Sequence, residues 1–567
     1  MSRLWIMLWG EMRKLLLAAM WCAGALSQER VAVRVEAGAG LGAFRPIYSF
    51  FGYDEPNYTY MKDGRKLLSE LAALSPVVVH VRAHNMLTSG DGVAALKWGS
   101  TNAYTEDAAG RAVYDWTIVD RIVDTYVERG MKPMIEVGFM PEALSVKPQP
   151  YRHFWDPSQP YRNIYAGWAH PPKDYSKWAA LVSEWVKHSM ARYGREEVAT
   201  WYWEVWNEPD IAYWQGTPEE YHKLYDYTAD AIKRVLPAIR VGGPTSTGPA
   251  GEKAGKFLRE FLEHVVRGKN YATGGVGAPI DYITFHAKGR PKVVDGHVQM
   301  GSEFQLRDID RGFGIVASFP ELKGKPIIIG ESDPEGCAAC SVRFNPQNAY
   351  RNGTMYSSYT AATFARKPEL AAKHGVNLTG AVTWAFEFED QPYFDGFRDL
   401  ATNGIDKPVL NVFRMMGMMG GERVKAESSG ARGVEEMVAG GVKASADVGA
   451  VATRGARVVN VMAWNYHDDD VAAPAAEVAL TVGGLPGEAR RVLVTHYRVD
   501  GEHSNAYEVW KKMGAPQKPT KEQYARLEAA GQLEMAGSPV WMTAKGGAVE
   551  LGFALPRQGV SLVRVGW

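Results

Sequence analysis

Short apolar runs alternate with stretches of helical period between residues 46 and 382. Eight runs have the length and the β-branched or aromatic composition of strands: 46–51, 77–81, 132–137, 200–205, 239–242, 281–285, 325–329 and 381–384. The stretches with helical period include 65–74, 116–129, 175–193, 218–235, 254–266 and 347–373. Strands that alternate with helices pair in parallel, so the pattern predicts an α/β fold, a (β/α)8 TIM barrel over 45–420. An open doubly wound sheet is the alternative, but no Gly-x-Gly-x-x-Gly sequence follows the first strand.

After residue 420 the sequence becomes rich in Val, Ala and Gly and forms short alternating segments. In five of these segments apolar and polar residues alternate, as is typical of strands with one buried face: 458–464, 478–482, 491–497, 548–553 and 561–565. They predict an accessory antiparallel β-sandwich over 421–567, to which segment 28–44 adds a strand at 32–35. A polar stretch near 505–535, which favours helix at 520–530, predicts a small helical insertion. We expect the sandwich to support the barrel; an independent carbohydrate-binding role is the alternative.

Residues 1–27 have the pattern of a secretory signal peptide. A basic segment at 12–14 precedes an apolar run of about twelve residues, which is too short to span a bilayer. Small residues at the end of this run suit cleavage near Ser27. We therefore expect an exported protein, periplasmic or secreted, with translation starting at Met12 rather than Met1. An uncleaved membrane anchor is the alternative.

Three cysteines are present, and Cys22 lies in the expected signal. Export leaves Cys337 and Cys340, whose Cys-x-x-Cys spacing predicts a local disulfide in an oxidising compartment. A zinc site would need two further ligands, and no second cysteine pair exists. A thioredoxin-like redox role is the sharper alternative.

Charge and composition exclude several classes of partner. Lys plus Arg and Asp plus Glu are 64 each, so no net field attracts nucleic acid or an anionic membrane. Apolar residues make up 46% and charged residues 23%, as in a soluble globular protein. The 18 Trp and 27 Tyr exceed the needs of a core this size, and carbohydrate sites use such rings as platforms.

Polar side chains recur at the carboxyl ends of the predicted strands, where barrels of this kind place their reactive groups. They are Arg82 and His84 after strand two, Glu136 on strand three, Asn207 and Glu208 after strand four, His286 after strand six, Glu331 after strand seven, and Trp384 on strand eight. A charged residue that only decorates a surface has no reason to recur at that position in each unit.

Carboxylates on strands four and seven face each other across a barrel mouth, which suits the cleavage of a glycosidic bond. Such cleavage needs an acid that protonates the leaving oxygen and an ionised carboxylate that attacks the anomeric carbon. Glu208 suits the acid and Glu331 the nucleophile. The amide of Asn207 can hydrogen-bond the sugar 2-hydroxyl, and Arg82 can keep Glu331 ionised.

The chain resembles glycoside hydrolase family 39 over most of its length after the signal. The resemblance depends on Phe51-Gly52-Tyr53, Arg82-Ala83-His84, Trp206-Asn207-Glu208-Pro209-Asp210, Phe285-His286-Ala287-Lys288-Gly289, Gly330-Glu331-Ser332-Asp333-Pro334 and the run 403–409. It implies a retaining enzyme with Glu208 as acid/base and Glu331 as nucleophile. It further implies that His84, Asn207, His286 and Trp384 bind the non-reducing sugar, with Trp384 as its platform. Glu389 resembles the family's sugar-hydroxyl acceptor, a role that Glu387 could fill instead.

The sugar itself is the open point of the resemblance. Many β-xylosidases of the family carry Tyr where this chain has Lys288, whereas α-L-iduronidases carry a Lys that helps to bind the uronate carboxylate. The segments around Glu331 and at 403–409 resemble bacterial β-xylosidases more closely. We therefore expect an exo-acting β-D-xylosidase that acts on xylo-oligosaccharides and needs no metal or organic cofactor. An α-L-arabinosidase, an α-L-iduronidase and a non-catalytic sugar-binding protein remain the alternatives.

Overall fold

The computed structural model describes residues 30–74 and 77–567. The expected signal peptide, with Cys22, lies outside the described residues. Within them, no helix combines the length and the apolar character needed to cross a bilayer.

Eight parallel strands form a closed barrel, as predicted. They are Phe50–Tyr53, His80–Ala83, Lys132–Val137, Tyr202–Val205, Arg240–Ser246, Tyr282–Lys288, Pro326–Asp333 and an eighth strand in two pieces, Asn377–Ala381 and Thr383–Trp384. The first piece of the eighth strand pairs with the seventh strand, and the second piece pairs with the first. The eighth strand therefore closes the sheet and leaves it without a free edge.

One long helix follows each barrel strand, in the right order for a (β/α)8 barrel. These helices are Lys62–Ala72, Thr117–Val127, Tyr175–Tyr193, Pro218–Val235, Glu252–Arg267, Ser302–Ala317, Thr354–His374 and Pro408–Met418. Two of them, Tyr175–Tyr193 and Pro218–Val235, have the predicted bounds. Thr217 and Glu220 form a capping box at the start of Pro218–Val235, in which the side chain of each accepts from the backbone N–H of the other. Two others, Ser302–Ala317 and Pro408–Met418, were not predicted. The second of these is buried on nearly every side, so its short sequence is apolar along most of its length.

Several barrel strands continue further toward their carboxyl ends than the sequence predicts. The sixth and seventh strands, Tyr282–Lys288 and Pro326–Asp333, stay paired to their last residues, where Lys288 lies opposite Asp333. His286 and Glu331 therefore lie within the ladder and not in loops beyond it. Ladder hydrogen bonds therefore hold the backbone of these two predicted site residues. The remaining short elements of the barrel region lie in its loops: the hairpins Tyr104–Glu106 with Ala112–Tyr114, Lys292–Val294 with His297–Gln299, and Ala401–Thr402 with Ile405–Asp406, the α-helix Arg195–Val198, and the 3-10 helices Pro56–Tyr58, Glu142–Leu144, Tyr161–Ile164, Gly167–Ala169 and Pro346–Asn352.

A second domain consists of ten strands in one hydrogen-bonded sheet. The strands are Val31–Ala43, Glu422–Ser428, Asp447–Arg454, Val458–Tyr466, Ala476–Gly483, Arg491–Val499, Glu534–Met535, Val540–Thr543, Val549–Leu555 and Val560–Gly566. Val461 and Leu480 belong to one apolar core although their strands are distant in the sheet order, so the sheet folds over into a sandwich. The expectation of a purely antiparallel sheet is corrected at one pair: Val31–Ala43 runs parallel to Ala476–Gly483.

The sandwich and its insertion pack against the barrel. Trp464 and Met462 share the barrel's apolar core, and Arg366 of the helix Thr354–His374 pairs with Asp447 at 3.1 Å. The insertion contains two helices, Ala506–Lys512 and Lys521–Gly531, where one was predicted. Their apolar side chains cover the loop after the eighth barrel strand. A further short helix, Val434–Gly440, lies between two sandwich strands.

Candidate active site

The guanidinium of Arg82 lies at the centre of the barrel mouth and is fully buried. Its Nη2 lies 2.8 Å from Glu136 Oε2 and donates to Asn207 Oδ1 at 2.9 Å. Its Nε donates to Glu204, and its Nη1 lies 3.4 Å from Glu331 Oε1. Five donors in a rigid fork thus reach groups on strands three, four and seven.

These contacts fix the charge state of the centre. Burial opposes the charge of Arg82, but Glu204, Glu136 and Glu331 outweigh it and raise the pKa of the guanidinium. Burial raises the pKa of Glu136 to about 7, against the lowering effect of His84 and Arg82. Arg82 therefore remains a cation among three acids.

Glu331 lies on the seventh strand and is held as a carboxylate. Burial alone would raise the pKa of Glu331, but the charges of Lys288 and His286 and a hydrogen bond from His84 hold it well below its usual range. Lys288 Nζ donates to Glu331 Oε2 at 2.6 Å, and His84 Nε2 lies 3.5 Å from Oε1. An ionised carboxylate in this position is suited to nucleophilic attack.

Glu208 follows the fourth strand in a strained backbone. Trp206 and Glu208 have φ angles of 68° and 45°, values that side chains with a Cβ seldom adopt. The Glu208 N–H donates to Thr245 O at 2.9 Å, and the indole of Trp206 donates to Tyr213 O at 3.0 Å. These bonds to neighbouring loops stabilise the strained turn that directs Glu208 into the barrel mouth.

The two carboxylates approach each other closely. One oxygen of Glu208, one of Glu331 and a ring nitrogen of His286 all lie within 4.8 Å of one another. His286 Nδ1 is 2.8 Å from Glu208 Oε1. The same three groups have the donor set of a metal site, but the ammonium of Lys288 already balances Glu331. A pair of carboxyl groups at this spacing suits a glycosidase that retains configuration.

Sequence reasoning missed two residues that complete this mouth, Asp54 and Lys97. Asp54 Oδ1 lies 2.9 Å from His84 Nδ1 and accepts from the indole of Trp384 at 3.0 Å. Lys97 Nζ donates to the other oxygen of Asp54. Asp54 follows the Phe51-Gly52-Tyr53 motif directly, which is the one signal that could have indicated it. Lys97 lies in a long loop with no motif around it.

The predicted sugar-hydroxyl acceptor, Glu389 or Glu387, and the predicted platform, Trp384, all contact other groups of the protein in the structure. Glu389 accepts the backbone N–H of Asp63 at 2.9 Å, at the start of the helix Lys62–Ala72. Glu387 is buried and accepts from Gly404 N at 2.6 Å, and burial raises its pKa. Trp384 is 1% exposed and has the guanidinium of Arg82 4.7 Å from its ring centre. Their roles toward the sugar remain predictions.

The predicted disulfide joins Cys337 and Cys340 in the loop after Glu331. Arg351 is buried beneath this loop and donates to the carbonyls of Cys337 and Cys340, both at 3.2 Å. The loop is therefore stabilised both by a covalent bond and by a buried cation that neutralises Glu335.

A (β/α)8 barrel with facing carboxylates at the ends of strands four and seven is the arrangement of a barrel glycosidase. The sequence matches Glycosyl hydrolases family 39 over residues 78–547, and the chain belongs to this family. It is a glycoside hydrolase.

Relatives in the family include enzymes with different substrates. A β-xylosidase of Geobacillus stearothermophilus is 27% identical over 508 residues, 86% of this chain and 86% of that protein. An α-L-iduronidase of Mus musculus is 24% identical over 545 residues, 89% of this chain and 76% of that protein. A monomeric β-xylosidase from Caulobacter crescentus CB15 has the same fold, with a TM-score of 0.73 at 21% identity over 94% of this chain and 99% of that one.

Proposed function

We propose that this glycoside hydrolase removes terminal β-D-xylosyl residues from xylo-oligosaccharides with retention of configuration, and so takes part in xylan degradation. The observation that carries the proposal is the close pair of carboxylates, Glu208 and Glu331, with oxygens within 4.8 Å of each other. Inverting enzymes leave room for a water molecule between sugar and base, with carboxyl groups about 6.5–9.5 Å apart. The spacing here supports direct attack by one carboxylate.

The reaction proceeds in two displacements. Glu331 attacks the anomeric carbon while Glu208 protonates the departing oxygen, which breaks the glycosidic bond and forms a glycosyl ester on Glu331. Glu208 then takes a proton from water, which attacks the anomeric carbon and releases the sugar and the free Glu331. Lys288, His84 and Arg82 keep Glu331 ionised for the first step.

Asn207 has its amide oxygen occupied by Arg82 at 2.9 Å. Its amide nitrogen is therefore the group that donates to the sugar 2-hydroxyl, a contact that strengthens in the transition state. His286 lies between the two carboxylates: its Nδ1 is 2.8 Å from Glu208 Oε1 and 3.7 Å from Glu331 Oε1.

The charges around Lys288 support a neutral sugar. Its ammonium lies 2.6 Å from Glu331 and 3.0 Å from Asp333, so two carboxylates already balance it. A uronate carboxylate would have to displace one of them and lie beside the other, at the cost of like-charge repulsion. The β-xylosidase relative supports the same assignment. The second candidate, an α-L-iduronidase, is favoured by the presence of a lysine at this position and by the iduronidase relative.

A panel of aryl β-D-xyloside, α-L-arabinoside and α-L-iduronide tests the proposal, with Glu331→Ala as the blank. Glu128→Ala, on an exposed helix end with 72% side-chain exposure, is the matched control. We expect the wild type to hydrolyse the xyloside. Its kcat should fall at least about 10⁴-fold in Glu331→Ala and stay unchanged in Glu128→Ala. Turnover of the iduronide alone would replace the sugar assignment, and no turnover of any glycoside would favour a non-catalytic sugar-binding protein.

We also propose that the protein is exported, because residues 1–27 have the pattern of a signal peptide. Amino-terminal sequencing of the chain recovered outside the cytoplasm of an expressing bacterium tests this. The expected mature chain begins near Gln28; a chain that retains residues 12–27 would indicate an uncleaved anchor.

A further inference from the structure

A polar cleft opens beside the proposed acid, on the side of Glu208 away from the buried centre. Its volume is about 440 Å³, within the range of small-molecule sites. Glu208 and Lys288 form its inner wall. The loop after strand five, with Thr247, forms another wall, and Arg290 and Lys253 stand at its rim.

The position of this cleft follows from the chemistry of the acid. Because Glu208 protonates the departing oxygen, the leaving group must lie against Glu208 on the side opposite Glu331. The cleft is lined by Glu208 and Lys288 and also by Arg290, so it joins the proposed acid to an exposed cation.

Hydrogen bonds shape the floor of the cleft. Asp210 accepts from the Thr247 backbone N–H at 2.9 Å and from its hydroxyl, and Asp308 accepts from Ala250 N–H at 3.0 Å. A Cβ on Gly248 would lie 2.2 Å from Asp308 Oδ2, so this position needs glycine for the cleft to keep its form. The two acids therefore support the loop that forms this wall of the cleft.

The rim, in contrast, carries unpaired donors. Arg290 and Lys253 are exposed, and within residues 30–74 and 77–567 neither forms a close ion pair, although the charge of Arg290 opposes the rise in the pKa of Asp308. Arg290 lies over the Phe304 ring at 4.7 Å, which limits its motion. Glu252 is the exposed acid of the rim. No aromatic side chain lines the cleft in the described part of the chain.

We infer that this cleft is the subsite for the leaving sugar, and that it selects a hydroxyl-bearing sugar over an apolar leaving group through the guanidinium of Arg290. The inference rests on the proposed glycosidase function. A guanidinium offers several donors in one plane, which match the adjacent hydroxyls of a sugar, and the absence of an aromatic wall removes the usual stacking surface for an aryl group.

The test compares xylobiose with aryl β-D-xyloside for the wild type and Arg290→Ala. Both substrates place the same sugar against Glu331 and differ only in the leaving group. Loss of hydrogen bonds from a charged donor lowers kcat/KM for xylobiose by about tenfold or more relative to the aryl substrate. Lys292→Ala, which removes an exposed cation on the neighbouring hairpin, is the control and should leave the ratio unchanged. Arg290→Lys should restore part of the ratio.

A second readout uses the return reaction. A sugar acceptor that occupies the same cleft intercepts the glycosyl ester, so Arg290→Ala should raise the share of aryl xyloside that is hydrolysed and lower the share transferred to added xylobiose. Equal effects of Arg290→Ala on both substrates, or an unchanged transfer share, would overturn the inference while the glycosidase function stands. Failure of the wild type to hydrolyse any glycoside would refute the proposed function, and the inference with it.

Discussion

Lys288 donates to Glu331: its Nζ lies 2.6 Å from Oε2, and the same ammonium lies 3.0 Å from Asp333 Oδ2. The residue on which the choice of sugar depends in the sequence analysis thus touches the proposed nucleophile itself. The ammonium of Lys288 lowers the pKa of Glu331 and so keeps it ionised, whether or not Lys288 also contacts the sugar.

Removal of this charge should shift the pH profile. The pKa of Glu331 is held below its usual range in part by Lys288, so Glu331 loses its charge only at low pH. Lys288→Met removes the cation, the pKa of Glu331 rises, and protonation begins at a higher pH. The acid limb of kcat/KM for the aryl xyloside should therefore move to higher pH. Lys292→Met controls for loss of a nearby exposed cation, and an equal shift in both variants would show that Lys288 has no such role.

The spacing of Glu208 and Glu331 predicts the stereochemical outcome. Attack by Glu331 followed by attack of water inverts the anomeric carbon twice, so the first sugar released from a β-xyloside should be the β-anomer. Proton NMR of the reaction, recorded before mutarotation, distinguishes the two anomers. An initial α-anomer would exclude Glu331 as the nucleophile.

Arg82 should make a large contribution to stability. The variant Arg82→Met leaves Glu136, Glu204 and Glu331 buried without their shared cation. We therefore expect its free energy of unfolding to be about 3–5 kcal/mol lower than that of the wild type. Arg82→Lys keeps the charge without the fork and should lose less. Urea unfolding measures both.

Arg111→Met provides the comparison for Arg82, since Arg111 forms an exposed pair with Asp107 and has 81% side-chain exposure. Such a pair contributes about 1 kcal/mol or less. If Arg82→Met lost no more stability than Arg111→Met, the buried cluster would contribute little.

The disulfide should stabilise the protein without taking part in catalysis. It closes a loop with a sequence separation of 3, so the Cys337→Ser/Cys340→Ser variant should lose about 2 kcal/mol of unfolding free energy at most. A thiol titration of the native chain that begins near Gln28 should find no free cysteine. A folded double variant that had lost its turnover would instead revive a redox role for the pair.

The parts of the fold that could be predicted are those with local signals. The helices Tyr175–Tyr193 and Pro218–Val235 have side-chain caps at their starts, Asp174 and Thr217, and their bounds agree with the prediction. Pro408–Met418 is short and apolar along most of its length, and such a run cannot be told from a buried strand by its pattern alone. The parallel pairing of Val31–Ala43 joins segments that are separated by the whole barrel, and no local pattern encodes such a pair.

The sequence by itself determined the barrel and the place of Glu208 and Glu331 on it, because alternation of strands and helices fixes which strand ends meet at the barrel mouth. Only the tertiary structure decided what surrounds them. Asp54 accepts from Trp384 and from Lys97, which lie far apart in the chain, and Glu389 accepts from the first turn of a helix. Such contacts depend on how loops pack over a closed barrel, and packing between distant segments leaves no periodic trace in the sequence.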